Sequence, residues 1–213
     1  MKPPTHQLDA KTLIIACGAL SHEVFALIKM NQWTHLAVTC LPAHYHHRPS
    51  LIPDALRKKI QHYREKYAAI YVMYGDCGTG GMIDKVVEEE RVSRIEGPHC
   101  FSFFAGNRDF EKWSEDDITT FYLTDFFCQY FDTFVWEALG LDRREDMAEF
   151  VFGNYKKIVF IAQTVNPELQ TKAREIAQRL GLDYEYRFTG YGDMATSLSS
   201  LPIRVNGGTS TSN

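Results

Sequence analysis

Three cysteines stand beside glycine or histidine at points where the chain turns from apolar run to loop: Cys17-Gly18, Cys77-Gly78 and His99-Cys100. Thiolates are soft ligands. Cys17, Cys77 and Cys100 together would suit zinc or a similar divalent metal, with a fourth position open to substrate, water or a histidine such as His46 or His99. Their wide separations match no compact zinc knuckle, so the shared strand-end address is what groups them. A second chemistry makes Cys77 a nucleophile whose pKa is depressed near a helix N-terminus, with His99 or His46 as its base. The bland alternative is packing: Cys17 and Cys100 as small buried hydrophobes, Cys77 as loop filler.

The stretch YGDCGTGGMID, Tyr74–Asp84, supplies the other candidate groups. Gly75, Gly78, Gly80 and Gly81 remove side chains, so backbone N–H groups can approach a ligand just before a helix, where an anion is favoured. Phosphate or carboxylate fits that reading; a tight strand-to-helix turn fits the residues equally. No Gly-Lys-Ser/Thr follows, and the spacing is not GxGxxG. Asp76 and Asp84 flank the glycines, as general base, as partner to a ligand, or as helix cap. His44, His46 and His47 are sequence neighbours that cannot all reach one ion. Cys40 and Cys128 read as packing, and Asp125 as a helix-start residue.

Short strands alternating with helices must position these groups. Lys11–Cys17, His35–Leu41, Ala69–Tyr74, Ser93–Glu96, Lys157–Val165 and Asp183–Phe188 read as strands. Ser21 is a candidate cap for the first helix. Ile52, Leu56, Ile60, Tyr63 and Tyr67 give helical spacing after Pro53. Thr124–Leu139 reads as an aromatic helix, apolar on more than one face and ended by Gly140. Asn166-Pro167 opens a further helix closed by Gly181. The pattern predicts an α/β fold, a mostly parallel open sheet with helices on both faces, Rossmann-like. In such a sheet the strand ends carrying the candidates share one edge, where ligands bind. The domain expectation is a single unit over residues 1–197, an aromatic-rich helical insertion at about 108–153, and a disordered tail over 198–213.

Bulk properties narrow the class. The chain has 213 residues, 45% hydrophobic, with a formal net charge of −4 and no long basic cluster, which argues against nucleic acid. No apolar stretch spans a bilayer and the N-terminus lacks a signal-peptide core, so the expected location is cytoplasmic, with thiols reduced.

The segments ACGAL, LPAHYHHRP, IPDALRKKI, YGDCGTGGMID, GPHCFSFFAG, FYLTDFF, LGLD, GNYKKIVFIAQT and TGYG occur in that order. Together they resemble domain-of-unknown-function family 1638, over about Leu13–Tyr191. The resemblance brings Cys17, Glu23, His46, Asp76, Cys77, Asp84, His99, Cys100, Thr124 and Asp125 under the family's motifs. It also implies a loose association with corrinoid methyltransferase systems. Tyr45 and His47 flank His46 where the family has Leu and Asn, which implies a changed pocket rim. The resulting expectation is a zinc-like metal-dependent enzyme or accessory protein of one-carbon metabolism. It would act on a small anionic or thiol-containing molecule, with Cys17, Cys77 and Cys100 as metal ligands and His46, His99 and Asp76 as acid/base groups. The alternative is a non-catalytic cofactor-binding or docking module for a corrinoid protein, with the aromatic helix as a face for homo-oligomers.

Overall fold

The computed structural model describes residues 9–116 and 118–202. The end of the expected tail, 203–213, lies outside them. The chain forms two compact units: the first runs to Pro98 and resumes at Thr196, and the second is His99–Ala195.

In the first unit β1 (Asp9–Cys17), β2 (Leu36–Leu41), β3 (Tyr67–Met73) and β4 (Ser93–Arg94) make a parallel sheet in the order β2-β1-β3-β4. Parallel neighbours need crossover connections. Here these are α1 (Ser21–Met30), α2 (Ile52–Tyr63) and α3 (Met82–Glu89). From Leu13 on, central strand β1 is an unbroken apolar run because both its faces are covered: Leu13, Ile14, Ile15 and Ala16 are at most 1% exposed. Helix α2 turns Ile52, Leu56 and Ile60 inward at four-residue spacing. The helical spacing overshoots at Tyr67, which opens β3; its ring nevertheless meets Tyr63 edge-on at 5.8 Å. Ser21 does not accept from the α1 amides; its hydroxyl donates to Gly18 O at 2.8 Å.

In the second unit β5 (Thr120–Leu123), β6 (Lys157–Ala162) and β7 (Asp183–Phe188) form a parallel sheet in chain order. The expected parallel α/β architecture is therefore present, distributed over two sheets. Strand β5 lies within the stretch expected to be helical. Helices α4 (Cys100–Ala105) and α5 (Asn107–Asp116) precede it; α6 (Asp125–Gln129) and α7 (Ala148–Phe152) follow. Helix α8 (Pro167–Leu180) is capped as its sequence dictates. The Asn166 side chain accepts from the Glu168 and Leu169 amides, and Gly181 closes the helix at φ +68°.

The aromatic segment is not one regular helix. After α6 it widens into a π turn, Asp132–Trp136, where Glu137 N donates to Asp132 O and Leu141 N to Trp136 O. Arg179 reinforces that turn by lying 3.5 Å over the Trp136 ring and pairing with Asp132 at 2.9 Å. Phe127, Phe131 and Trp136 belong to the buried core of this unit.

One further helix, not read from the sequence, follows β7, and its last two residues, Leu198 and Ser199, fall where the tail was expected to begin. Helix α9 (Gly192–Ser199) starts in the second unit and ends in the first, with Leu198 fully buried and Tyr71 hydrogen-bonded to Ser197.

Candidate functional site

The sheet order β2-β1-β3-β4 creates a switch point between β1 and β3, because successive connections leave β1 in opposite directions. Ligands of open α/β sheets bind outside the strand carboxyl ends at such a point. Cys17 is the last residue of β1, and β3 leads through Tyr74 into the glycine loop. The first unit thus brings Cys17, Gly75, Asp76, Cys77, Gly78, Gly80 and Gly81 to one sheet edge. Gly18 is required there: a Cβ would meet Ala43 N at 3.0 Å and Leu41 O at 3.1 Å.

Cys17 is 9% exposed. Burial pushes its thiol pKa up, against the opposing pull of hydrogen bonds with the Tyr74 side chain and the Ala19 backbone. At neutral pH it is a protonated thiol rather than a ready nucleophile. Cys40, one strand over, is raised by burial as well, and further by Cys17.

The loop is held by three devices. The amides of Asp76 and Cys77 donate to Gly97 O and Pro98 O at 3.1 and 2.9 Å. Arg94 pairs with Asp84 through Nε and Nη2 at 2.6 and 2.9 Å, while its Nη1 donates to the carbonyls of Tyr74, Ile95 and Gly97. Asp84 therefore fixes the loop's base. Finally, Asp76 reaches forward and accepts from Gly81 N at 2.7 Å, Gly80 N at 3.1 Å and Thr79 Oγ1 at 2.7 Å. Burial works against ionisation of Asp76. The Gly81 amide, the Thr79 hydroxyl and the amides of Gly80 and Gly78 outweigh it and hold the carboxyl below its usual range. The amides expected to receive an external anion already hold an internal one.

Gly78, Gly80 and Gly81 have φ of +80°, +63° and +82°, and a Cβ at Gly80 or Gly81 would touch nothing within 4 Å. Backbone conformation, not space, selects glycine there. Cys77 shares the left-handed region at φ +50° although it carries a side chain. That conformation costs about 1–2 kcal/mol for an L-residue.

Of the remaining predicted residues, His46 follows β2 at the same carboxyl edge, and His99 and Cys100 open the second unit. His46 lies in the single-turn helix Ala43–His47 after β2, exposed, its ring 5.4 Å from that of His47. His99 and Cys100 belong to the second unit. His99 is the residue before α4, and its carbonyl accepts from Ser102 N and Oγ. Cys100 packs against the aromatic core of that unit. Among the described residues no group of three or more His, Cys, Asp or Glu is gathered as a metal site requires.

Sequence reasoning missed the role of Asp125. At the exit of β5 its carboxylate accepts from Gln163 N at 3.1 Å, Thr164 N at 3.0 Å and Thr164 Oγ1 at 2.6 Å. Its own amide donates back to Gln163 Oε1 at 2.8 Å. This clip ties the exits of β5 and β6. Burial raises the Asp125 pKa against the Thr164 hydroxyl and the Gln163 and Thr164 amides. A Thr-Asp pair after one strand and Gln-Thr after another was the available signal.

The family model described as Protein of unknown function (DUF1638) matches residues 40–198. No curated protein and no solved structure matches the chain.

Proposed function

The chain belongs to the DUF1638 family, and on that premise we propose that it handles a small anionic or thiol-containing ligand of methyl-group metabolism, as an enzyme or accessory protein, at the carboxyl edge of its four-stranded sheet. The observation that carries the reading is the convergence of Cys17 and the Cys77 loop on the β1/β3 switch point. Cys77 adds weight: a thiol kept in a conformation that suits its glycine neighbours better points to a use for the side chain. The methyl-group context, and a corrinoid protein as partner, come from the resemblance alone.

A zinc-like ion would suit the donor type, since soft thiols bind it and would lose their protons to it. The described residues gather no set of three donors, so they do not by themselves fit a protein-held zinc site. What the chain's own groups supply is a neutral buried Cys17 thiol, a Cys77 thiol on a hydrogen-bonded loop, and loop amides already bound by Asp76. This last feature favours a second reading, a binding or docking module without chemistry, since it leaves the loop preformed but occupied.

Two measurements on protein purified without a histidine tag test the proposal. Metal content is compared between wild type and Cys77→Ser. Thermal shifts are then recorded with a panel of small phosphates, carboxylates and thiols, because a ligand that binds only the folded state raises the melting temperature. A shift or a bound metal lost in Cys77→Ser supports the reading. No metal and no shift in either protein removes it.

A further inference from the structure

We propose that Arg94 is the positioning residue of the Cys77 loop: its guanidinium bridges the two segments where β3 and β4 part and so fixes where the Cys77 thiol stands at the sheet edge. The inference rests on the reading of Cys77 as the thiol that this edge uses. The β3–β4 register ends at Tyr71↔Ser93 and Val72↔Arg94, and Ile95 N adds one bond to Val72 O at 3.0 Å. The two segments meet again through Asp76 N to Gly97 O and Cys77 N to Pro98 O, at 3.1 and 2.9 Å. Arg94 Nη1 fills the interval, donating to Tyr74 O, Ile95 O and Gly97 O at 3.3, 2.7 and 3.4 Å. Carbonyls that leave a ladder need another donor. Here one side chain supplies it to both segments.

The other half of the guanidinium fork reaches the far side of the loop. Nε and Nη2 grip the Asp84 carboxylate at 2.6 and 2.9 Å, and Asp84 is the third residue of α3. Arg94 therefore holds the chain entering the loop at Tyr74, the chain leaving it at Asp84, and the segment beside it at Ile95 and Gly97. Cys77 lies between these anchors at φ +50°. A residue with a side chain stays in that region only where its surroundings over-determine it.

Burial separates this pair from an ordinary surface ion pair, which is worth little. The Arg94 side chain is 13% exposed and that of Asp84 56%. A guanidinium taken out of water must have its donors matched, and the Asp84 oxygens and the three carbonyls match them. Lysine at this position would keep the charge and lose the planar fork. What Arg94 contributes is thus geometry more than charge.

Iodoacetamide labelling of the native protein, followed at each cysteine by mass spectrometry, tests the proposal. In Arg94→Lys the loop loses its anchors, and Cys77 should label about 10-fold faster while Cys17 and Cys128 stay protected. Unchanged labelling of Cys77 overturns the proposal, as does a rise shared by Cys17 and Cys128, which marks general loosening. Should Arg94→Lys fail to fold, Asp84→Ala decides, since it leaves the three carbonyl bonds in place. Faster labelling confined to Cys77 supports the proposal there, and unchanged labelling overturns it. The labelling needs no ligand, so its outcome is separate from that of the proposed function. Any ligand shift that Cys77→Ser loses should vanish in Arg94→Lys too; a shift retained there overturns the positioning role and leaves the proposed function standing.

Discussion

Replacing Asp76 by alanine separates a self-bound loop from an anion receptor. The carboxylate accepts from two backbone amides and one hydroxyl, at 2.7–3.1 Å. These bonds lie in the loop ahead of α3 rather than at its cap, and a net hydrogen bond is worth about 0.5–1.5 kcal/mol, more when the acceptor is charged. Gly80 and Gly81 are exposed, so water replaces the lost acceptor and no buried orphan adds to the cost. About 2 kcal/mol is expected, which for a chain of this size lowers the melting temperature by about 4–8 °C. The sign of the pH dependence follows from the depressed pKa of Asp76 in the fold. Its contribution is fully present above the unfolded value of 3.8 and is lost as pH falls through the folded value. Calorimetric scans at neutral and strongly acid pH should therefore show wild type and Asp76→Ala far apart at the first and converging at the second. Phosphate should stabilise the variant more than wild type, because the vacated amides open toward an anion. Equal melting temperatures at neutral pH would refute the hydrogen-bond argument. A gap that persists in strong acid would refute its electrostatic part.

Gly192→Ala should destabilise the second unit by roughly 3 kcal/mol or more, read from chemical denaturation, because φ is +44° and a Cβ would press on the Phe103 and Phe104 carbonyls. Asp125 has a raised folded pKa, so its contribution is present below the unfolded value of 3.8 and is lost as pH rises through the folded one. The stability advantage of wild type over Asp125→Asn should shrink over that rise in a pH series of denaturant melts. Alkylation of native protein at mildly alkaline pH, mapped by mass spectrometry, should spare Cys17 and Cys128. Burial raises both thiols, Cys128 to about 12, and denaturation should expose all five cysteines to label.

Local rules were legible wherever a signal and its cause lay within a few residues. Asn166-Pro167 and Gly181 bound α8 as read, and β7 occupies the predicted Asp183–Phe188. Strand β5 was hidden because its four residues run directly into aromatic residues with helical spacing. The π turn was invisible because its i to i+5 hydrogen bonds leave no period that a 3.6-residue pattern reports. Helix α9 lies in a Gly- and Ser-rich stretch of low helix propensity, and the burial of Met194 and Leu198 stabilises it. For the site, the strand-end addresses of Cys17 and the glycine loop were readable. The capture of the loop amides by Asp76 was not, since it depends on backbone that curls back over five residues.

In each unit a carboxylate near the exit of the sheet is committed to the chain's own backbone. Asp76 holds Gly80 and Gly81, Asp125 holds Gln163 and Thr164, and Asp193 accepts from Asn107 N at 2.9 Å at the start of α5. Each is a fixed acceptor for backbone amides. A carboxylate that is hydrogen-bonded and held at low pKa is a poor proton acceptor near neutrality, which argues against Asp76 as a general base. Reactivity at the β1/β3 edge then falls to the thiols. Cys17 is neutral there because burial disfavours its anion, and a nearby cation or further hydrogen bonds to the thiolate would oppose that. A thiolate role for Cys17 therefore calls for a cation or a further hydrogen-bond donor beside it, and the pH dependence of its alkylation rate with and without a candidate ligand reads that shift.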